Sequence, residues 1–177
     1  MKLGLRKDEV RLVEYNPEWA AEFAKVKEEL RASTNLEEFQ IEHIGSTSIP
    51  GMLAKPIIDM VVGIRNLSNF PESLAGGLKK AGFLRLRVER PGEIVFARFT
   101  DNTYEVKTHF IHLVEYEGEL WQNLIFFRDY LRTNEDARWE YQAIKMDSLA
   151  RYQTGVNEYT DHKEDFVKAI FAKRAVI

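Results

Sequence analysis

Two stretches of the sequence carry residue types that suit the binding of phosphate groups. In the turn Gly45-Ser46-Thr47, a glycine lets the backbone approach a ligand closely, and the hydroxyl groups can hold phosphate oxygens. The turn by itself is still more typical of an ordinary strand-to-loop connection. Asp59 is more specific, because it is the single carboxylate in the apolar run of residues 57–64, where a charge is costly without a partner. Asp59 therefore favours a functional role, such as a ligand of Mg²⁺, over a structural one.

Four cationic side chains could neutralise an anionic ligand. Lys55 lies near the exit of the loop, where phosphate binding and a solvated surface position are equally compatible with the sequence. Lys145 and Lys163 each lie within an apolar helical stripe. Both either reach past the core to a ligand or extend along its edge to solvent. Arg128 raises the same question on the preceding helix, where an ion pair with Asp129 is the favoured interpretation.

The histidines offer candidates for proton transfer or phosphate binding. His43 shares a strand face with Ile41, which fits a core histidine and a ligand-binding residue equally well. His109 and His112 are three residues apart, so on a strand they point to opposite faces and cannot share a metal ion without a bulge. One of this pair can still act as a general base, and we assign that role to His109. His162 is predicted to be exposed.

These residues need a sheet and flanking helices to bring them together. The chain of 177 residues suits one domain, residues 1–177. We predict an α+β fold with a mixed β-sheet, helices packed mainly on one face and a C-terminal helical segment. The predicted helices begin at Asn16-Pro17, at residues 66–71, near Leu120, at Asn134 and at Asn157 or Tyr159. The predicted strands cover residues 41–44, 57–64, 83–88, 93–99 and 104–114, and residues 10–15 are predicted to be a short extended piece.

Composition narrows the classes of function. The net charge of -3 and the pI of about 5.9 argue against broad nucleic-acid or membrane binding, which needs a basic face. The absence of cysteine excludes disulfides, thiolate catalysis and zinc–thiolate sites. The first ten residues are too charged for a signal peptide, and no apolar run approaches the length of a membrane span, so we expect a cytoplasmic protein. The candidate residues above favour a small-molecule phosphate ligand. The oligomeric state is left open.

Five segments of the sequence carry a resemblance to a known family: VEYNPEWAAEF, IEHIGSTSIPGMLAKPIIDMVVGI, THFIHLV, LIFFRDYLR and YTDHKEDFV. They resemble the GrpB-type family of small bacterial proteins, which is assigned to the nucleotidyltransferase superfamily with a DNA polymerase β-like fold. The resemblance covers nearly the whole chain and implies a small-molecule nucleotide or phosphate ligand, with Mg²⁺ as a candidate cofactor. Related domains are fused to dephospho-coenzyme A kinase in some bacteria, which suggests a link to nucleotide or coenzyme metabolism.

The chain departs from the superfamily pattern at one important position. Gly45-Ser46 and Asp59 match the Gly-Ser turn and the first metal-binding acid, but Val61 stands where the second acid is expected. Glu105 is the candidate for the third acid. Because two metal ions normally need that pair of acids, the sequence leaves three hypotheses open. One is a Mg²⁺-dependent nucleotidyltransferase with Asp59 and His109 as catalytic residues, and another is a non-catalytic nucleotide- or coenzyme-binding module. Phosphate-ester or amide chemistry through the histidines is a third.

Overall fold

The computed structural model describes residues 1–153 and 161–175, apart from the side chains of Asp161 and His162. It contains an α+β fold built on one six-stranded sheet. The strands are β1 (Leu5–Arg6), β2 (Ile41–Ile44), β3 (Ile58–Ile64), β4 (Phe83–Arg90), β5 (Glu93–Phe99) and β6 (Val106–Glu115). The helices are α1 (Glu18–Ser33), α2 (Glu72–Lys80), α3 (Glu119–Thr133), α4 (Glu135–Gln153) and α5 (Asp161–Arg174).

The sheet is mixed, and its one parallel pair carries the residues of interest. The strand order is β2-β3-β6-β5-β4, with β1 added to the end of β6. Strands β3 and β6 run parallel, whereas the other pairs are antiparallel. The register sets Asp59 beside Phe110 and Val61 beside His112. Because side chains alternate along a strand, Asp59, Val61 and His112 share one face of the sheet and His109 lies on the other.

Helices α1 and α2 cover the face that carries His109. Ile58, Met60 and Val62 of β3 point to this side and are fully buried. They form the main core with Trp19 and Leu30 of α1. Helix α1 begins where the sequence predicts, because the Asn16 side chain accepts a hydrogen bond of 2.9 Å from the Glu18 amide.

Helix α3 covers the other face, and α4 and α5 pack against α3. Val61 of β3 lies in a small apolar cluster with Val114 and Trp121. A second cluster joins the three C-terminal helices and includes Leu131, Tyr141, Phe166 and Ile170. Buried apolar contacts therefore fix α4 and α5 above the end of the sheet where β2 runs into the glycine turn.

The structure confirms the α+β class, the mixed sheet and the C-terminal helical segment. The predicted packing of helices mainly on one face is wrong, because the apolar residues of β3 alternate and are covered by α1 and α2 on one face and by α3 on the other. The predicted start of the last helix at Asn157 or Tyr159 lies outside the described residues, and the side chain of His162 does too. None of the helices in the described part of the chain is both long and apolar enough to cross a membrane.

Candidate functional site

A cavity of about 260 Å³ lies between the sheet and helices α3, α4 and α5. Its apolar walls come mainly from the three helices. Its polar side comes from the turn after β2, from β3 and β6, and from three lysines. The polar lining residues are Gly45, Ser46, Thr47, Lys55, Asp59, His112, Tyr141, Lys145 and Lys163. Seven of them were candidates from the sequence, and the fold brings these seven together from four separate segments.

The turn after β2 is shaped by its contact with Asp59. Gly45 has a φ of 71°, a left-handed conformation that favours glycine. A Cβ atom at this position would lie 2.7 Å from Oδ2 of Asp59, which is closer than real Cβ contacts allow. The turn continues as a short 3₁₀ segment in which the Ser48 hydroxyl donates a hydrogen bond of 2.6 Å to the Gly45 carbonyl. Glycine is therefore required here because the backbone packs directly on the carboxylate.

Lys145 reaches across the cavity from α4 to the same turn. Its Nζ donates a hydrogen bond of 3.1 Å to the Ser46 hydroxyl and another to the Leu53 carbonyl. Burial, together with the nearby charge of Lys163, lowers the pKa of Lys145 to about 7. An anion in the cavity would reverse this effect, because it would favour the charged ammonium.

His112 lies between two carboxylates at the sheet side of the cavity. Its Nδ1 is 2.7 Å from Oε2 of Glu93, and its Nε2 is 3.6 Å from Oδ1 of Asp59. Burial alone would lower the pKa of His112, but the contacts with Asp59 and Glu93 outweigh burial and raise it to about 9. His112 is therefore an imidazolium at neutral pH. Burial opposes ionisation of Glu93, but hydrogen bonds from His112 and Arg90 outweigh it and lower the pKa of Glu93.

The fold does not bring His43 or His109 into the cavity lining. His43 is buried under α1, where its ring stacks on the Phe23 ring with a centroid distance of 4.8 Å. Its Nε2 lies 3.0 Å from the hydroxyl of Thr47, a described residue that lines the cavity. His109 faces α1 as well, with Nε2 3.2 Å from Glu22 but without hydrogen-bond geometry among the described residues. Burial lowers the pKa of both rings to about 4. His109, the predicted general base, thus points away from Asp59. Side chains alternate along a strand, so His109, three residues from His112, lies on the opposite face of the sheet.

Arg128 and Glu105, the remaining candidates for ligand or metal binding, lie outside the cavity lining. Arg128 is buried among the Asp129 and Glu42 carboxylates, at 2.8 and 2.5 Å, and donates a hydrogen bond of 3.0 Å to the His43 carbonyl. It joins α3 to β2, as the ion-pair interpretation of the sequence favours. Glu105 precedes β6 and forms an exposed ion pair with Arg6 at 3.6 Å. Neither residue lines the cavity.

The residues at the site do not fit a two-metal centre. Val61 is fully buried in the apolar cluster under α3, and the carboxylate of Glu93 is held by His112 and Arg90. Among the described residues that line the cavity, Asp59 is the one carboxylate. Within the part of the chain whose side chains the structure describes, no group of three or more histidine, aspartate or glutamate residues is placed to hold a metal ion.

Sequence reasoning missed the pair formed by His112 and Glu93. It separated His109 and His112 onto opposite faces, but it had no means of choosing between the faces. The parallel pairing of β3 with β6 makes that choice, because it sets His112 beside Val61, two residues along β3 from Asp59. The carboxylate of Glu93 at the start of the mostly apolar strand β5 was the remaining clue.

Three comparisons bear on the identity of the chain. The family described as "GrpB protein" matches residues 9–173. The glutamate-rich protein GrpB of Alkalihalophilus pseudofirmus is 40% identical over 169 residues, which span 95% of this chain and 97% of that protein. The crystal structure of GrpB from Enterococcus faecalis superposes with a TM-score of 0.75 at 25% identity, over 92% of this chain and 96% of the other.

A more distant relative is a larger protein. It is named dephospho-CoA kinase, comes from Mycolicibacterium paratuberculosis and is 26% identical over 188 residues, which span 93% of this chain and 46% of that protein. The family match covers most of the sequence, and the first relative is similar in length and in sequence throughout. The chain therefore belongs to the GrpB family.

Proposed function

We propose that the cavity binds a small molecule that carries one or more phosphate groups, such as a nucleotide or a phosphorylated coenzyme precursor. The observation that carries this proposal is the convergence of Lys55, Lys145 and Lys163 on the Gly45-Ser46 turn inside one cavity. These residues come from a loop, two helices and the end of a strand, so their convergence is a property of the fold and not of a local charge run.

The charge balance of the cavity supports an anionic ligand. Among the described residues that line the cavity, three lysines and the His112 imidazolium accompany the single carboxylate of Asp59, whereas the chain as a whole has a net charge of -3. A concave site with an excess of one charge sign concentrates ligands of the opposite sign. Ser46 adds a hydroxyl that already accepts a hydrogen bond from Lys145, an arrangement that can be shared with a phosphate oxygen.

The apolar walls favour a ligand with an apolar or aromatic portion. Leu124, Phe127 and Phe171 line the side of the cavity opposite the sheet, with the Tyr141 ring beside Lys145 at 5.0 Å. The volume of about 260 Å³ lies near the lower end of ligand sites, roughly 300 Å³. A mononucleotide or a pantetheine-type precursor is therefore a better match than a polymer. The likeness to part of a dephospho-CoA kinase adds coenzyme A precursors to the candidates.

Nucleotidyl transfer is the second candidate function. The contact between Gly45 and Asp59 favours it, because it joins the Gly-Ser turn to the first acid as the family resemblance implies. The burial of Val61 and the surface position of Glu105 weigh against it, since they leave Asp59 without a second acid. Binding is therefore the primary proposal, and release of pyrophosphate would be the evidence for transfer.

A thermal-shift screen tests the binding proposal. Nucleoside triphosphates, nucleoside monophosphates and coenzyme A precursors are added to the wild type, to Lys145→Met and to Lys163→Met. A ligand at about a hundred times its dissociation constant adds roughly 2.7 kcal/mol of stability to the wild type. We expect a clear shift for the wild type and a much smaller one for both variants.

The matched control is Lys168→Met, which removes an exposed lysine from the same helix as Lys163. This variant should respond to ligand as the wild type does. The proposal fails if no phosphate compound stabilises the wild type, or if Lys145→Met and Lys163→Met respond as strongly as the control.

A further inference from the structure

The position where a divalent cation would be expected beside Asp59 is held by a side chain. The parallel register of β3 and β6 sets His112 directly beside Val61, the residue that replaces the second acid. His112 thus stands on the same face as Asp59 and lines the cavity with it. We infer that His112 takes the place of a metal ion: the phosphate ligand binds against a fixed imidazolium without Mg²⁺, and Asp59 is a counter-charge to His112 instead of a metal ligand. This inference rests on the proposed function.

The geometry around the ring explains how its charge is fixed. Glu93 holds Nδ1 at 2.7 Å, a distance typical of a charge-assisted hydrogen bond. Arg90 lies 3.4 Å from the other oxygen of Glu93, so this carboxylate is itself held in place. A carboxylate beside each ring nitrogen favours the protonated form of histidine, in which both nitrogens carry a hydrogen. Glu93 is within hydrogen-bond distance of Nδ1, and Asp59 lies farther from Nε2.

The second ring nitrogen is the one available to a ligand. The separation of 3.6 Å between Nε2 and Oδ1 of Asp59 is longer than a normal hydrogen bond. The N–H group on Nε2 can therefore donate a hydrogen bond to a phosphate oxygen in the cavity while Glu93 keeps the ring in place. Asp59 supplies a nearby negative charge that favours the imidazolium, and it lies at the rim of the same cavity.

The same contacts make a poor site for Mg²⁺. This ion takes an octahedral set of oxygen ligands and usually needs more than one carboxylate or several phosphates. Asp59 faces an imidazolium at 3.6 Å, and the buried side chain of Val61 supplies no oxygen. A cation beside Asp59 would also meet the positive charge of His112. Lys145, Lys163 and His112 together supply the positive charge that a phosphate group would otherwise draw from metal ions.

The first test uses inorganic tripolyphosphate as the probe in isothermal titration calorimetry, with excess EDTA or with excess MgCl₂. We expect tripolyphosphate to bind the wild type at least as tightly in EDTA as in MgCl₂. Binding that appears only with MgCl₂ would overturn the inference and leave the proposed function intact. Absence of binding in both conditions would overturn the proposed function and, with it, the role assigned to His112.

The second test compares two variants whose expected effects have opposite signs. His112→Asn removes the imidazolium, so we expect tripolyphosphate binding to weaken by about tenfold, the loss of one charge-assisted contact. Asp59→Asn removes a negative charge from the cavity while Glu93 still holds the ring, so binding in EDTA should be retained or become tighter. Loss of binding in Asp59→Asn would contradict the inference, because a metal ligand is the role that requires this carboxylate.

A ligand-free measurement completes the test. Mn²⁺ is added to the wild type, and its free concentration is followed by electron paramagnetic resonance. We expect no binding of Mn²⁺ that depends on Asp59. In the same protein, the ¹⁵N shifts of the His112 ring at neutral pH should show both nitrogens protonated. Stoichiometric Mn²⁺ binding that Asp59→Asn abolishes, or a neutral His112 ring, would overturn the inference even if His112→Asn failed to fold.

Discussion

His109 and His112 lie three residues apart on the same strand, and their pKa values are shifted in opposite directions. The ring of His109 faces the apolar core under α1, where burial and the positive charges of Arg98 and Lys25 lower its pKa to about 4. The ring of His112 faces the cavity, where Asp59 and Glu93 raise its pKa to about 9. Both rings are largely buried. The difference teaches that the partners on each face of the sheet, and not burial as such, decide whether a histidine is charged.

The largest expected effect is a loss of stability in acid, and it comes from His43 and His109 on the sheet face that α1 and α2 cover. The pKa values of His43 and His109 fall from an ordinary 6.5 to about 4 in the folded protein. The unfolded chain binds protons at these two rings more readily than the folded protein does. The contribution of the two neutral rings to the free energy of unfolding is therefore full above pH 6.5 and is lost as the pH falls from 6.5 through 4. Each ring accounts for about 3 kcal/mol on this basis.

Urea unfolding at a series of pH values measures this loss. We expect His109→Gln to show a weaker dependence of the free energy of unfolding on pH between 6.5 and 4 than the wild type. An unchanged pH dependence in this variant would mean that His109 is charged in the folded protein, and the contrast with His112 would disappear.

On the sheet face that lines the cavity, His112 has the opposite pH dependence, and its contribution to stability is lost in alkali. The pKa of His112 is raised to about 9, so its contribution to stability is full below 6.5 and is lost as the pH rises from 6.5 through 9. His112→Gln should therefore cost about 3 kcal/mol at pH 6 and much less near pH 10. The same urea titration, extended to alkaline pH, checks this prediction. A constant cost across this range would show that packing, and not charge, accounts for the effect of the variant.

The glycine turn gives the next effect, and the chain offers its own control. Gly45→Ala places a Cβ atom 2.7 Å from Asp59 in a left-handed backbone, so we expect a loss of about 2 kcal/mol or more. Gly51 also has a positive φ, of 78°, but nothing lies within 4 Å of a Cβ atom there. Gly51→Ala should cost only about 1 kcal/mol, and thermal unfolding of the two variants compares them. Equal costs would mean that the close approach of the turn to Asp59 has no energetic weight.

The smallest effect is a proton taken up when a ligand binds. The pKa of Lys145 is lowered to about 7, so about one pH unit above that value most of this side chain is neutral. An anion beside Nζ favours the ammonium, so tripolyphosphate binding should take up about one proton. Calorimetry in buffers with different ionisation enthalpies measures this number. Lys145→Met is the control for protons taken up by the ligand itself, and equal uptake by both proteins would contradict the prediction.

The sequence predicted the elements well where hydrophobic pattern and chain breakers coincide. The apolar run of residues 57–64 and the Asn16-Pro17 start correspond to β3 and the beginning of α1. The helical stripes that contain Lys145 and Lys163 did not show whether these side chains point to a ligand or to solvent. Only the packing of α4 and α5 shows that they line the cavity, and this packing depends on contacts between distant residues such as Tyr141 and Phe166.

The site was predicted less completely, because it depends on which strands are neighbours. Gly45, Ser46 and Asp59 lie close in sequence, and their types alone identified them. His112 and Glu93 come from two later strands, and no local pattern shows that these strands lie beside β3. Sequence spacing separated His109 from His112, but only the pairing of β3 with β6 shows which ring reaches Asp59.

The parallel pairing of β3 with β6 also has a consequence for folding. Helix α2 and strands β4 and β5 lie between the two strands in the chain, so their pairing closes a long loop, which is an entropically costly and slow step. A chain in which β6 has not paired with β3 lacks His112 beside Asp59. A ligand that needs His112 binds only chains in which this pairing has formed, and its binding draws the folding equilibrium toward that state.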